Sequence, residues 1–466
     1  MLAVAMGVQA NPDEVFASLQ RAGIAPQAVS LVAQPVDGDA PALFAHNDQN
    51  PMTLASTTKL ATTLAALDVL GPRFRWQTRA FALGDVRDGV LVGDLLLVGG
   101  GDPRLGSDEL RQWFTRLRAK GLYRIEGHIV LNRGLFQTQA SDHLSTPIPT
   151  AENPHHGWPD ALAIDEGTLT VELKATPQGP VLSYQPRLEG VNIVNALRVM
   201  PRKCASLREP VTAVFQELSD PPRILVQGDW APGCGPSRWL IATLPGSFFS
   251  PLAVEAAWRD AGGELGGGVL QHGDAYMPPQ WPRGQRPYAV LESPPLRQVL
   301  RDMNKWSNNL MARHVMLSLA KGFPGRPATP QEARKRFNEW LQRQGVAPGD
   351  LVLDNGSGLS HGERGRPAVL LHLLRQAWKG PHKDDLLASL PVAGEDGTLA
   401  TRFKEPEVRG KAFLKTGTLI GTRSLAGYVL ARSGRTYAVV AVINDPRADK
   451  GVAALDAFVA WVVANG

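Results

Sequence analysis

The sequence has few of the features that mark disulfide-rich, zinc-binding or membrane-spanning proteins. Only two cysteines, Cys204 and Cys234, occur among 466 residues, and neither lies in a C-x-x-C or Cys/His pattern typical of a zinc site. One disulfide bond outside the cytoplasm and two free thiols are both compatible with this number. No stretch reaches the roughly 18 uncharged apolar residues needed to span a membrane. We therefore predict a chain with no transmembrane segment and no disulfide framework.

Motifs for metals and cofactors are also absent. The run "GGGD" at 99–102 lacks the spacing G-x-G-x-x-G and the lysine of a phosphate-binding loop, so we interpret it as a turn. The pair His155-His156 has no H-E-x-x-H context. We interpret Glu395-Asp396, before Gly397, as a surface turn. The sequence thus predicts no metal site and no cofactor.

Basic residues are not concentrated in any one run. Lysine and arginine number 49 against 44 acidic residues, a net charge of +5. A nucleic-acid-binding protein usually collects its basic residues in a patch or stripe, so we do not expect nucleic acid as a partner. The small excess suits an acidic polymer or a substrate that carries carboxylates and, more simply, an ordinary solvated surface.

The first ten residues, "MLAVAMGVQA", contain a short apolar run that ends in Val-Gln-Ala, which can precede a cleavage point after Ala10. The basic residues that begin a complete secretory signal are missing. We interpret residues 1–10 as the remnant of a signal peptide and predict export to the periplasm. Asn11, Pro12 and Glu14 then form a typical helix start.

The two ends of the chain predict an antiparallel sheet covered by helices. The runs "VSLVAQPV" and "ALFAHN" near the N terminus, and "GKAFLKTGT", "SLAGYVLA" and "TYAVVAVIN" near the C terminus, are strand-like and joined by short turns. Leu60, Leu64 and Leu67 in "STTKLATTLAALDVLGP" predict a helix that is buried on most sides. Leu455 and Phe458 mark a terminal amphipathic helix. The predicted fold class is α+β.

The middle of the chain, from Lys59 to residue 300, has a different texture. Strand-like runs such as "GVLVGDLLLVGG" and "IEGHIVLN" alternate with proline-rich stretches, and only one clear helix is predicted, around Leu110 and Trp113. A segment of about 200 residues is long enough for one or two domains. We therefore predict that mainly β domains are inserted into the α+β domain.

Three short motifs fit acyl transfer by a serine. Ser56 and Lys59 form S-x-x-K at the predicted buried helix, Ser307-Asn308-Asn309 forms S-x-N, and Lys415-Thr416-Gly417-Thr418 forms K-T-G on a predicted strand. Taken alone, the first motif more often indicates a helix-capping serine and a solvated lysine than a catalytic pair. The three motifs in this order form the set known from penicillin-binding proteins and class A β-lactamases. We interpret them as catalytic.

The motifs supply the groups that acyl transfer requires. Ser56 is the predicted nucleophile, and Lys59, which loses hydration and basicity when buried, is its predicted base. Ser307 with Lys415 is the predicted proton relay to the leaving amine. Asn309 is predicted to orient Lys59 and to hold the substrate amide.

The K-T-G strand is the predicted substrate-binding edge. Lys415 supplies positive charge, and the hydroxyls of Thr416 and Thr418 are suited to a terminal carboxylate. Gly417 allows the backbone to approach the substrate closely. The backbone N–H groups of Ser56 and Thr418 are the predicted oxyanion hole.

The chain resembles the low-molecular-mass class C penicillin-binding proteins, which are D-alanyl-D-alanine carboxypeptidases and endopeptidases of peptidase family S13. Besides the three motifs, the likeness rests on "GGGDPRL", "IEGHIVLNRGLF", "DNGSGLSHG", "LPVAGEDGTLATRF" and "LKTGTLIGTRSLAGYVLA", spread over nearly the whole chain. It implies a DD-peptidase fold of the serine β-lactamase type, with two mainly β domains inserted after the S-x-x-K helix. The predicted ranges are 1–10 for the signal-peptide remnant, 11–74 and 285–466 for the catalytic domain, 75–102 and 170–284 for inserted domain II, and 103–169 for inserted domain III.

The resemblance also implies the substrate, which is the peptide stem of peptidoglycan ending in D-Ala-D-Ala or its cross-link to diaminopimelate, with β-lactams as covalent inhibitors. By likeness, Trp158 and Asp160 of "GWPD" line the side-chain pocket, and Asp160 faces the distal ammonium of the substrate. The "GWPD" stretch is shorter than the corresponding family stretch. His361 stands where the family more often has an arginine, which weakens a bidentate grip on the diaminopimelate carboxylate.

Two other functions fit the same residues. A β-lactamase or esterase differs from a peptidase in its deacylation step, and the sequence does not indicate the water or base that serves it. A non-catalytic cell-wall binding protein retains the fold, but its site is expected to have lost at least one of Ser56, Lys59, Ser307, Asn309 and Lys415. Peptidase activity is therefore the leading hypothesis, and the sequence leaves the oligomeric state open.

Overall fold

The computed structural model describes residues 12–139, 142, 157–176, 179–200, 212–231, 237–242, 244, 246–271 and 285–466. The predicted signal-peptide remnant, both cysteines and the pair His155-His156 lie outside these residues. In the described parts of the chain, no helix has the length and apolar character needed to cross a membrane.

Helices and strands alternate along the described chain. The helices are α1 (Asp13–Arg21), α2 (Lys59–Val69), α3 (Ser107–Ala119), α4 (Gly246–Asp260), α5 (Leu296–Lys305), α6 (Asn309–Leu317), α7 (Pro330–Arg343), α8 (Pro367–Lys379), α9 (Lys383–Ser389) and α10 (Val452–Asn465). The strands are β1 (Val29–Pro35), β2 (Phe44–His46), β3 (Gln77–Arg87), β4 (Val90–Val98), β5 (Arg124–Ile125), β6 (Ile129–Asn132), β7 (Leu169–Thr176), β8 (Gly179–Gln185), β9 (Asn192–Val199), β10 (Thr212–Gln216), β11 (Arg223–Trp230), β12 (Ser237–Ile241), β13 (Glu264–Leu265), β14 (Val269–Gln271), β15 (Ala289–Glu292), β16 (Leu351–Val352), β17 (Arg364–Gly365), β18 (Ala412–Leu419), β19 (Thr422–Leu430) and β20 (Thr436–Asn444).

The two ends of the chain form one antiparallel sheet in the order β18-β19-β20-β1-β2. Neighbouring residues of a strand point to opposite faces, and β20 is apolar on both. Val439 and Ala441 pack with α1 and α10 in one core, whereas Val440 and Val442 pack with α2 and α8 in another. The predicted α+β class and the terminal strands are confirmed.

Helix α2 lies inside the second of these cores. Every residue from Lys59 to Leu67 is buried, and α2 packs among residues of α5, α6 and α8. The alanines and leucines noted in the sequence account for much of this burial, and the hydroxyls of Thr62 and Thr63 donate to the carbonyls of Gly356 and Lys59. The predicted buried helix is confirmed, and it carries Ser56 at its N-terminal end.

The described residues of the inserted part form a second large sheet and two smaller ones. Strands β13-β5-β4-β3-β15, with β6 paired to β4 and β14 paired to β6, form a sheet of seven strands, on which α3 and α4 pack through Trp113, Phe114 and Trp258. Strands β10-β11-β9 and β12-β7-β8 form two three-stranded sheets. The inserted part is rich in strands, as predicted. Helix α4 was not predicted, because its apolar residues surround the helix without a clear period and Pro251 interrupts the pattern.

The strand pairing differs from the predicted subdivision of the insertion. Residues 103–169, predicted as a separate domain, contribute β5 and β6 to the sheet of β3 and β4. Strand β4 pairs with both in parallel, and a parallel pair requires a crossover of a dozen or more residues, which α3 provides. Strand β15 also pairs with β3, although it lies in the range predicted for the catalytic domain. The boundaries of the inserted domains remain a proposal.

Candidate active site

Ser56 and Lys59 lie on the same side of the helix, one turn apart. The 3₁₀ turn Ala55–Thr58 leads directly into α2, and three residues per turn place residues i and i+3 above one another. The Nζ atom of Lys59 lies 2.8 Å from Ser56 Oγ. Ala55, before the serine, has φ +48°, a left-handed conformation that is uncommon outside glycine. The serine and lysine of the S-x-x-K motif are therefore in direct hydrogen-bond contact.

Lys59 is held in place by groups that are distant in sequence. Its Nζ atom lies 2.7 Å from Asn309 Oδ1 and also donates to the carbonyl of Ser357. The side chain is fully buried. Burial, and then the charge of Lys415, lower the pKa of Lys59 well below its ordinary value, while Glu363 acts in the opposite direction. This environment favours the neutral amine, the form that can accept a proton.

Lys415 is a second buried lysine that pairs with a serine. Its Nζ atom lies 2.8 Å from Ser307 Oγ and 2.7 Å from the carbonyl oxygen of Thr416. Burial lowers the pKa of Lys415 to about 7. Near neutral pH this ammonium therefore exchanges readily between its charged and neutral forms.

Strand β18 runs close beside the turn that carries Ser56. A Cβ atom at Gly417 would lie 2.1 Å from Ser424 Oγ and 3.0 Å from the carbonyl oxygen of Leu54, so only glycine fits without a shift. The hydroxyl of Thr416 lies 2.8 Å from that of Thr398, and Thr418 is exposed. The structure thus brings the three motifs together, with the residues of K-T-G on strand β18 along one side of the site.

The loop after β16 provides three residues, Ser357, Gly358 and Glu363, that sequence reasoning did not assign to the site. The carbonyl of Ser357 accepts from Lys59, and Gly358 at φ +80° lies so close that a Cβ would be 2.1 Å from the carbonyl oxygen of Ala55. The buried carboxylate of Glu363 accepts four backbone N–H groups, from residues 354, 355, 356 and 358. The glycines of "DNGSGLSHG" signal a tight loop, but glutamate is usually exposed, so nothing in the sequence marks Glu363 as buried.

The three residues assigned to the substrate side chain lie in different surroundings. Asp160 Oδ2 is 3.2 Å from Arg133 Nη1, and Oδ1 accepts the N–H of Leu162 at 2.8 Å. Trp158 is 48% exposed, and His361 is exposed. The carboxylate expected to meet a substrate ammonium therefore already pairs with an arginine of the protein, and the role of all three residues stays a prediction.

Known proteins share this architecture along almost the whole chain. The model of the D-Ala-D-Ala carboxypeptidase 3 (S13) family matches residues 13–464. The D-alanyl-D-alanine carboxypeptidase DacB of Haemophilus influenzae is 27% identical over 405 residues, which cover 86% of this chain and 82% of that protein. The crystal structure of penicillin binding protein 4 from the same organism superposes with a TM-score of 0.75 at 24% identity, covering 96% and 97% of the two chains. A structure of that protein complexed with a β-lactam has a TM-score of 0.69 at 26% identity and covers 92% and 93%.

The family model covers nearly the whole chain, and residues of the three motifs contact one another in the structure. Sequence and geometry therefore lead to one assignment. The chain belongs to the D-Ala-D-Ala carboxypeptidase 3 (S13) family.

Proposed function

We propose that this protein is a serine D-alanyl-D-alanine carboxypeptidase, a DD-endopeptidase or both, and that it acts on the stem peptides of peptidoglycan. The observation that carries the proposal is the fully buried Lys59, whose Nζ atom is 2.8 Å from Ser56 Oγ. A solvated lysine is protonated at neutral pH, whereas burial lowers the pKa of Lys59 and so favours its basic form beside a hydroxyl.

In the first step Lys59 removes the proton of Ser56, whose Oγ attacks the carbonyl carbon of the penultimate D-alanine. The bond from that carbon to the terminal amine breaks, and Ser307 with Lys415 returns a proton to the leaving amine. The product is an acyl-Ser56 ester and a free amino acid or, for an endopeptidase, a free peptide strand. In the second step a water molecule hydrolyses the ester and restores Ser56.

The K-T-G strand binds the substrate in this proposal. The charge of Lys415 and the hydroxyls of Thr416 and Thr418 hold the terminal carboxylate of the substrate. The backbone N–H groups of Ser56 and Thr418 stabilise the negative oxygen that develops during attack. Asn309 orients Lys59 through the 2.7 Å contact and holds the substrate amide.

Recognition of the substrate side chain is assigned to Trp158, Asp160 and His361. Asp160 pairs with Arg133, so it would share its carboxylate between this arginine and the distal ammonium of the substrate. His361 offers a smaller ring in place of the forked guanidinium of arginine, and we expect a weaker grip on a diaminopimelate carboxylate. Because peptidoglycan lies outside the cytoplasmic membrane, the proposed place of action is the periplasm.

β-Lactams are the proposed covalent inhibitors, since their strained amide presents the same carbonyl to Ser56. The complex of the H. influenzae relative with a β-lactam supports this proposal. The test is to incubate the purified protein with benzylpenicillin and to record its intact mass, with Ser56→Ala as the control. We expect one adduct, located on the peptide that contains Ser56 and missing from the variant, together with release of D-alanine from a pentapeptide.

The other outcomes separate the alternatives. Penicillin that is consumed without a stable adduct would identify a β-lactamase. Penicillin that stays intact, without adduct formation or release of D-alanine, would favour a cell-wall binding protein and contradict the proposal. The variant Lys59→Met should slow acylation by about 100-fold or more, as expected for the loss of a general base.

A further inference from the structure

The three side chains of the S-x-N motif make contacts in two different directions. Ser307 and Asn309 contact the two buried lysines, as described above. The side chain of Asn308 lies against the inserted part of the chain instead, where its Nδ2 atom donates to Oε1 of Glu166 at 2.5 Å. The middle residue of the motif thus joins residues 307–309, which we call the catalytic loop, to a carboxylate that belongs to the insertion.

Both ends of the Asn308 amide are engaged. Its Oδ1 atom accepts the N–H of Met311 at 2.9 Å and caps helix α6, which begins at the following residue. Because Oδ1 holds the helix and Nδ2 holds Glu166, the amide has one orientation. Ser307, the residue before it, has φ +57°, a left-handed conformation that a serine adopts only when its surroundings impose it. The contact with Glu166 is one of the constraints on this segment.

Glu166 is itself firmly placed. It lies in a turn, Asp165–Gly167, in which both Asp165 and Glu166 have positive φ, +46° and +57°. The carboxylate of Asp165 accepts the N–H of Ser107 at the start of α3, at 3.0 Å. The turn is therefore tied to the inserted sheet and its helix, and Glu166 projects from this rigid support toward Asn308.

We propose that Glu166 is a positioning residue for acyl transfer. It acts through Asn308, whose fixed amide sets the start of α6 and thereby the contacts of Ser307 with Lys415 and of Asn309 with Lys59. The inserted part of the chain would then contribute directly to the geometry of the catalytic loop. This inference rests on the proposed function, because its effect is measured as acylation of Ser56.

A reversal of the hydrogen bond tests the proposal. Asn308→Asp keeps an oxygen to cap α6 but places a carboxylate against Glu166, and we expect the acylation rate constant for benzylpenicillin to fall about 10-fold or more. Glu166→Gln keeps an oxygen that accepts from Asn308, so the expected loss is about threefold or less. In the double variant, the amide introduced at position 166 can donate to the new aspartate, and acylation should return to within about threefold of the wild-type rate.

Three measurements accompany these rates. The control Glu109→Gln removes an exposed carboxylate at the start of α3, which has no hydrogen bond to Asn308 and should leave acylation unchanged. The melting temperature of each variant reports folding. The dissociation constant of the non-covalent benzylpenicillin complex and the acylation rate constant are determined separately, which shows which step changes. A positioning role predicts a change in the rate constant.

The outcomes distinguish this inference from the proposed function. If the wild-type protein forms no acyl-enzyme, the proposed function fails and the inference fails with it. If the wild type is acylated but Asn308→Asp reacts at the wild-type rate, or the double variant is no faster than the single one, the inference is overturned and the proposed function stands. Should Asn308→Asp not fold, Glu166→Ala replaces it, and wild-type acylation by that variant would equally overturn the inference.

Discussion

Lys305 and Asp396 form an ion pair between the end of α5 and the loop before β18, in which the lysine is nearly buried and the aspartate is partly exposed. The Nζ atom lies 2.7 and 2.5 Å from the two carboxylate oxygens, and Lys305 is 7% exposed. Asp396 also accepts the N–H of Val392 at 2.8 Å. The next residues are Gly397 and Thr398, and Thr398 contacts the hydroxyl of Thr416. The turn at Glu395-Asp396, which we predicted as a surface turn, thus supports strand β18, the proposed substrate-binding strand.

Replacing Asp396 by alanine should destabilise the protein, because it leaves the Lys305 ammonium without its partner. The aspartate is partly exposed, so we expect a loss of about 1–2 kcal/mol in the free energy of unfolding. Denaturant titration measures it. The control is Glu395→Ala, since Glu395 makes only a 3.9 Å contact with an exposed arginine. Equal effects of the two substitutions would contradict the structural role of the pair.

Glu363→Gln should damage both stability and acylation. The carboxylate accepts four backbone N–H groups, whereas the amide offers one oxygen and sets its NH₂ against the remaining donors. We expect the free energy of unfolding to fall by about 1–3 kcal/mol. Acylation should slow as well, because the same loop presents the Ser357 carbonyl to Lys59. A variant that keeps wild-type stability and rate would show that the loop holds its shape without this carboxylate.

The pKa of Lys415 predicts how activity depends on pH. Burial lowers this pKa from its ordinary value of 10.5 to about 7, so the ammonium loses its charge as the pH rises through neutrality. The ratio kcat/KM, which reports the free enzyme, should therefore decline above a pH of about 7 for substrates with a terminal carboxylate. Lys415→Arg should lower the rate at all pH values and remove the decline, because arginine stays charged. A flat wild-type profile between a pH of about 6 and about 10 would contradict the assigned role.

His314 should make the protein less stable in weak acid. The ring is fully buried, with Nδ1 3.1 Å from the carbonyl oxygen of Gly101 and Nε2 3.3 Å from the backbone nitrogen of Asp160. Burial lowers its pKa from 6.5 to about 4. Between these values the unfolded chain binds the proton and the folded chain does not. This one histidine should therefore lower the free energy of unfolding by about 1.4 kcal/mol for each pH unit between 6.5 and about 4.

The comparison with His314→Gln isolates this effect, because glutamine does not titrate. Asp102 and Asp165 act in the opposite direction, since burial raises the pKa of each to about 6 and protonation there favours the folded state. Their contribution is present in both proteins and cancels in the difference. The wild type should lose stability relative to the variant as the pH falls from 6.5 to about 4, and a constant difference would refute the prediction.

Much of the fold could be predicted from local pattern. Strands β1, β19 and β20, the buried helix α2 and the terminal helix α10 all follow from the spacing of apolar residues, since that spacing reports which faces of an element are buried. The insertion was less predictable. The parallel pairing of β4 with β5 and β6 joins segments that are separated by α3, and periodicity contains no information about which strands pair.

The site, like the fold, has parts that follow from local sequence and parts that do not. Ser56 and Lys59 are three residues apart, so their contact follows from helical geometry. The partners of Lys59 are 250 and 298 residues away, and Glu166 meets Asn308 across 142 residues. The sequence by itself determined which chemical groups are present, in which order, and on which kinds of element. The tertiary structure decided which distant carbonyls and carboxylates surround them, because burial and hydrogen bonding at the site depend on chain segments that only the complete fold brings together.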